Sequence, residues 1–167
     1  MHFTKTVLAL ALAAVPISAL PVEENGVAAE GLEVRDTTVT CTPKSNKSSV
    51  KSFKISLDFA NGQATKAGFT KGRSGDPHNY SNGDKIQWGV KGCNKKDAKL
   101  WEYPIYWDGK KEWKKDDPSS GQDKTPLRVV YIQDNGTHDK RPKVCGVMTH
   151  SEVDEGFQGK DFFQKCT

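Results

Sequence analysis

Four side chains of this sequence could share one piece of chemistry. Glu102 lies in Leu100–Trp107 (LWEYPIYW). Alternation sends Leu100, Glu102 and Pro104 to one side of a strand there, and Trp101, Tyr103, Ile105 and Trp107 to the other. A carboxylate in so aromatic a strand is costly to bury unless it is paired. Arg128 opens Arg-Val-Val-Tyr-Ile on the side of Val130 and Ile132, and is one of three arginines after Arg35. His78 follows the stiff turn Asp76-Pro77, and His150 ends the apolar run Val144–His150. Singly, each has an ordinary reading as an exposed or solvated residue. Together they supply the parts of RNA cleavage without a metal, in which the 2′-OH attacks the adjacent phosphorus. That reaction needs a base for the 2′-OH, an acid for the 5′-oxygen and positive charge beside the phosphoryl oxygens. Histidine can be the acid near neutral pH, and arginine's planar fork suits phosphate.

The elements that must carry these groups are short. Val39–Thr42 and Val50–Leu57 flank the polar Pro43–Ser49 and predict an N-terminal β-hairpin. Ser56 or Asp58 can cap a helix to about Ala67, with Phe59, Ala60, Gln63, Ala64 and Ala67 near one face and Gly68 at its end. Thr70–Asp84, rich in Gly, Ser, Asn and Asp, reads as a loop. Strand-like runs follow at Lys85–Val90, Leu100–Trp107, Arg128–Gln133 and Val144–His150, and Phe157–Cys166 forms a tail. One helix ahead of several antiparallel strands predicts a small α+β fold.

The chain has 167 residues, 35% hydrophobic and 28% charged, which suits one domain. Met1–Ala19 has the layout of a secretory signal peptide. Residues 20–35 read as an acidic pro-segment closed by Arg35, or as a disordered arm, leaving a mature domain at 36–167. Residues 1–35 hold two of the 25 basic and four of the 21 acidic residues, so 23 against 17 remain, a net charge of +6. That balance favours an anionic partner, nucleic acid or an anionic membrane face. Cys41, Cys93, Cys145 and Cys166 are an even set behind a signal peptide, predicting two disulfides among three possible pairings. Their spacings of 52, 52 and 21 match no zinc pattern, so no metal or other cofactor is expected.

Four stretches, in order, resemble the motifs of fungal guanyl-specific ribonucleases: Asp76-Pro77-His78-Asn79-Tyr80, Trp101-Glu102-Tyr103-Pro104-Ile105, Arg128-Val129-Val130-Tyr131 and Gly146-Val147-Met148-Thr149-His150. Length, basicity, lysine-rich loops and cysteine placement resemble the ribotoxins within that group, the hirsutellin type above all. The resemblance runs from about Val39 to Cys166. It implies a short helix packed on a twisted antiparallel sheet whose concave face holds the site, with long basic loops and the pairings Cys41–Cys166 and Cys93–Cys145. Carried over by residue, Glu102 is the general base and His150 the general acid, while His78 and Arg128 hold the scissile phosphate. Asp76 stands where the larger ribotoxins have a tyrosine, and is expected to raise local acid pKa values or to orient His78. Tyr131 and Phe163 are expected at the substrate. A second assignment makes His78 the base, with Glu102 tuning it.

The activity implied is that of a secreted endoribonuclease. It would cut one bond after a guanosine in the sarcin–ricin loop of large-subunit rRNA, through a 2′,3′-cyclic phosphate, in the cytosol of a target cell. A non-selective guanyl ribonuclease and a catalytically silent effector of the same fold are the other readings. Two basic loops are expected to steer RNA: Lys91, Lys95, Lys96 and Lys99 in one, and Lys110, Lys111, Lys114 and Lys115 around Trp113 in the next. Each lysine alone reads as solvated surface. The expected partners of this monomer are the ribosome and, during uptake, anionic lipids. Sequons occur at Asn46, Asn79 and Asn135. A glycan on Asn79 would crowd His78, so that sequon is expected to be empty.

Overall fold

A computed structural model describes residues 37–109, 111–136 and 140–167. The expected signal peptide, pro-segment and Asp36, and Lys110 among the RNA contacts, lie outside the described residues. Strands are Thr38–Cys41 (β1), Ser45–Asn46 (β2), Phe53–Ser56 (β3), His78–Tyr80 (β4), Leu100–Ile105 (β5), Leu127–Gln133 (β6), Pro142–Val153 (β7) and Gly159–Lys165 (β8). β1 and β3 form the antiparallel N-terminal hairpin expected. Its long connection carries β2, which pairs in parallel with β7. The main sheet runs β4-β5-β6-β7, antiparallel throughout, with β8 on the far side of β7.

Leu57–Ala67 forms the helix, α1. Ser56 Oγ accepts the Phe59 N–H at 3.1 Å, satisfying an amide that the first turn leaves open. Gly68 stops the helix at φ 63°, where a side chain would be strained. Ala60, Gln63, Ala64 and Ala67 are buried against the sheet. The α+β architecture with one helix on an antiparallel sheet is thus present, along with both disulfides, Cys41–Cys166 and Cys93–Cys145.

Three expectations need correction. The run Thr70–Asp84 is not loop throughout, because His78–Tyr80 pairs with β5 as an edge strand. The tail beyond Phe157 contains β8. Lys85–Val90 is not a strand, although its alternation does bury Ile86 and Trp88. The Ile86 N–H goes to Asn82 Oδ1 at 2.9 Å and the Trp88 N–H to Asn94 Oδ1 at 2.8 Å. Asparagine side chains take the amides that a neighbouring strand would have taken.

Each face of the sheet has its own core. On the helix side Tyr103, Ile105, Leu127, Val129, Tyr131 and Val147 meet the helix alanines. On the other side Leu100, Val130 and Met148 lie under Ile86, Trp88 and Cys93. Between Val130 and Tyr131 the register with β7 skips Cys145, a bulge that turns this cysteine toward Cys93. Tyr80 and Phe163, from opposite edges of the sheet, meet edge-on with centroids 5.9 Å apart, so the sheet curls around this face.

Cys41–Cys166 spans 125 residues. Replacing both by alanine is expected to lower the unfolding free energy by about 4–5 kcal/mol, the loop-closure entropy of so long a crosslink. Urea melts of the two proteins, compared at equal m-value, check this.

Candidate active site

Antiparallel register places the candidate groups on one diagonal. His78 lies opposite Glu102, and Glu102 opposite Val130. Two residues along β6 from Val130 is Arg128, opposite Met148, and two residues along β7 from Met148 is His150. Residues two apart share a face. β4, β5, β6 and β7 therefore each give one side chain to the curled face: His78, Glu102, Arg128 and His150. Phe163 on β8 lies opposite His150, with ring centroids 4.0 Å apart.

His78 is held from both sides. Its Nδ1 lies 3.0 Å from Asp76 Oδ1 and its Nε2 2.6 Å from Glu102 Oε1. These two bonds, Asp76 first, outweigh the cost of partial burial and push its pKa up to about 9. A raised pKa favours the imidazolium form, and so favours Glu102 over His78 as the base. Asp76 and Glu102 are 7% and 6% exposed. Glu102 Oε2 is buried with no hydrogen-bond partner. A buried, unused carboxylate oxygen is the arrangement expected of a waiting proton acceptor.

Arg128 is half-buried, with Nη1 donating to Thr125 O at 3.0 Å and Leu127 O at 2.8 Å. Burial draws its pKa down, while Glu102 and Asp76 push it back up. Among the described residues no carboxylate closes an ion pair with it, so its charge faces the site unspent. His150 Nδ1 donates to Asp161 O at 3.0 Å, which leaves Nε2 as the atom that can exchange a proton. Burial, helped by Arg128, holds the His150 pKa below its ordinary value.

Other expected contacts lie elsewhere. Tyr131, expected at the substrate, points to the helix side, fully buried, with its hydroxyl on Gly68 O at 2.7 Å. Strand alternation decides this: Arg128 and Val130 face the site, so Tyr131 cannot. Trp113 is buried against Tyr106 and is not an exposed stacking surface. Lys111 pairs with Asp123 and lies over the Tyr106 ring. Lys114 reaches Asp117 at 3.9 Å. Lys115 Nζ caps the helix end through Ala67 O at 2.9 Å, while its carbonyl accepts the Ser74 N–H at 2.8 Å. It braces the loop that carries Asp76. Lys91, Lys95, Lys96 and Lys99 are exposed, and no ion pair engages them among the described residues. Asn79 is exposed beside His78, whereas Asn46 Nδ2 is spent on Val50 O and Lys51 O within the hairpin connection.

Two positions escaped the sequence. Asp161, at φ 63°, aims its carbonyl at His150. Gly159 abuts the other side of that ring: a Cβ built there would stand 2.6 Å from His150 Cγ and 2.8 Å from its Cβ. No positive φ requires glycine at 159; the imidazole does. Neither a glycine that opens a strand nor an aspartate inside one carries a local signal of such a role.

A protein-family model described as ribonuclease matches residues 39–167. Among solved structures, hirsutellin A from Hirsutella thompsonii matches with a TM-score of 0.62 and 52% identity, over 78% of this chain and 98% of that one. Restrictocin, an Aspergillus ribotoxin, matches with a TM-score of 0.59 and 24% identity, over 78% of this chain and 99% of its own. Restrictocin complexed with a 29-mer sarcin/ricin domain RNA analog gives a TM-score of 0.57 at the same 24% identity. Likeness at that level is one of fold. Among curated protein sequences none matches the chain significantly.

A Gly159→Ala variant is expected to keep its far-UV circular dichroism but to lose about 10²-fold in kcat on RNA, the penalty of a misplaced proton donor. His78 gives a second check. Its folded pKa is raised from 6.5 to about 9, so its stabilisation is complete below 6.5 and is lost as pH climbs through about 9. Melting temperature is expected to fall across that window in the wild type, and that component to be missing from His78→Gln.

Proposed function

The chain belongs to the ribonuclease family, and on that premise we propose that it is a ribotoxin cutting the sarcin–ricin loop of large-subunit rRNA. Its endoribonuclease reaction is an internal transfer. Glu102 Oε2 takes the 2′-OH proton as the 2′-oxygen attacks phosphorus. The 2′-O–P bond forms, the P–O5′ bond breaks, and His150 Nε2–H delivers its proton to the leaving 5′-oxygen. A 2′,3′-cyclic phosphate remains. The His78 imidazolium and the Arg128 guanidinium offset the charge that gathers on the nonbridging oxygens, where fixed donors are most effective. Neither step requires a metal ion, because the two cations do that work. The observation that carries this reading is the buried, unpartnered Oε2 of Glu102 within a group of cations.

Selection of one loop in intact ribosomes is supported by the identity with hirsutellin A and by the fold shared with restrictocin, whose structure with a sarcin/ricin domain RNA analog is known. The exposed Lys91–Lys99 loop would supply the long-range attraction, and the second basic loop little, since its described lysines are engaged. Secretion is supported by the signal-like first 19 residues and by two disulfides, which an oxidising route forms. Anionic lipid contact during uptake would use the same surface charge.

Intact ribosomes treated with a low dose of enzyme are expected to yield a single discrete rRNA fragment; a smear would mark a general ribonuclease instead. Glu102→Gln and His150→Gln are each expected to lower kcat by about 10²–10⁴-fold, measured on the same ribosomes. The acid must hold its proton, and the His150 pKa lies below 6.5, so kcat/KM is expected to fall as pH rises past that region. Raised activity between pH 6.5 and 8 would contradict the assignment of His150 as proton donor.

A further inference from the structure

We propose that the side-chain bond between Ser151 and Asp161 is a positioning device for the proton donor, holding the Asp161 carbonyl on His150 so that the Nε2 proton is the one delivered. The inference rests on His150 being the general acid.

The chemistry sets the demand. An imidazolium carries two protons, and a donor to the 5′-oxygen must release the one on Nε2 and keep the one on Nδ1. A carbonyl oxygen can only accept. The 3.0 Å contact of His150 Nδ1 with Asp161 O therefore secures the Nδ1 proton and fixes the tautomer left behind. Other contacts fix the rest of the residue. Its main-chain N–H goes to Pro126 O at 3.0 Å, Gly159 packs on the ring, and the Phe163 centroid lies 4.0 Å away. None of these chooses between the two ring nitrogens; the Asp161 carbonyl does.

That carbonyl sits where the strand pairing is irregular. His150 lies opposite Phe163 and Glu152 opposite Lys160, so Asp161 and Phe162 together face the single residue Ser151. The first residue of this bulge, Asp161, stands at φ 63°. Glycine is the usual occupant of such a position, because a Cβ is strained there. An aspartate enters the left-handed region more readily than most residues when its short side chain finds a local hydrogen bond. Ser151 supplies that bond, its Oγ donating to Asp161 Oδ2 at 3.2 Å.

The bond is anchored from the inside. Ser151 is 1% exposed, and Asp161 is the partner of its hydroxyl among the described residues. Breaking it would leave a buried donor unsatisfied, so the exposed Asp161 is tied to a rigid point. β8 does not need this tie in order to dock. Gly159 pairs with Val153 at one end of the strand, and Cys166 is crosslinked to Cys41 just past the other. One residue of β8 thus clasps two consecutive residues of β7, His150 by its carbonyl and Ser151 by its carboxylate.

The test reads two quantities on folded protein: the imidazole ¹⁵N shifts of His150 at a pH where the ring is neutral, and kcat and KM on a guanosine-headed dinucleotide. The wild type is expected to carry the neutral ring's proton on Nδ1. Ser151→Ala and Asp161→Ala are each expected to mix the tautomers and to lower kcat by about ten- to hundredfold, with KM unchanged. Asp161→Asn keeps an acceptor for Ser151 and tolerates positive φ, so it is expected to retain both wild-type properties. Adding Asp161→Gly to Ser151→Ala is expected to recover most of kcat, since glycine takes the left-handed turn without an anchor. Wild-type shifts in both alanine variants overturn the clamp; Asp161 is exposed, so its replacement gives this reading even if Ser151→Ala does not fold. A loss confined to KM overturns it too, as does a loss in Ser151→Ala that the added glycine leaves uncorrected. Mixed tautomers with undiminished kcat overturn His150 as proton donor, and the clamp's part in catalysis with it.

Discussion

The imidazole of His78, gripped between the carboxylates of Asp76 and Glu102, is the interaction on which the site depends. It does three things at once. It holds a cation at the centre of the candidate group, it fixes one oxygen of Glu102, and it leaves the other oxygen unclaimed. Remove the proton, and two buried carboxylates would face each other across a neutral ring. Asp76 makes this stable from the outside, because its bond to Nδ1 is the largest contribution to the imidazole's grip on its proton.

A diagonal of groups on four strands demands exact alignment of each strand with the next, since a slip of one residue moves a side chain to the opposite face. Tyr131 shows how sharp the division is. Its neighbours in sequence belong to the site's face, yet its own ring belongs wholly to the helix-side core. The two cores separate duties: the helix side supplies rigidity, and the other side, closed over by Trp88 and Ile86, shapes the surface on which the candidate groups stand.

Much of this was legible in the residues. The Ser56 cap, the Gly68 stop and the small face of the helix are local features, written in adjacent positions and seen as such. The alternation around Glu102 and around Arg128 gave the residues that share a side within each strand, because side-chain period is a property of the backbone; that the two sides form one face comes from the pairing of Glu102 with Val130. What could not be read was pairing of a non-local kind. Lys85–Val90 has the pattern of a strand, but two asparagines outside it claim its amides. The lysines near Trp113 look like a funnel in sequence, and only their distant partners, Asp123 and the end of the helix, show them to be engaged. Gly159 is the extreme case, since its need for hydrogen in place of a side chain is set by a residue on another strand.

The bulge at Cys145 has a consequence for how the chain acquires its crosslinks. Cys145 meets Cys93 only because β7 carries one extra residue against β6 at that point. A chain threaded one position out of place would turn that sulfur toward the helix layer and leave two thiols unoxidised. Closure of the crosslink therefore reports that Arg128 and His150 have arrived on the same wall, and an incorrectly aligned copy would remain chemically marked by its free thiols.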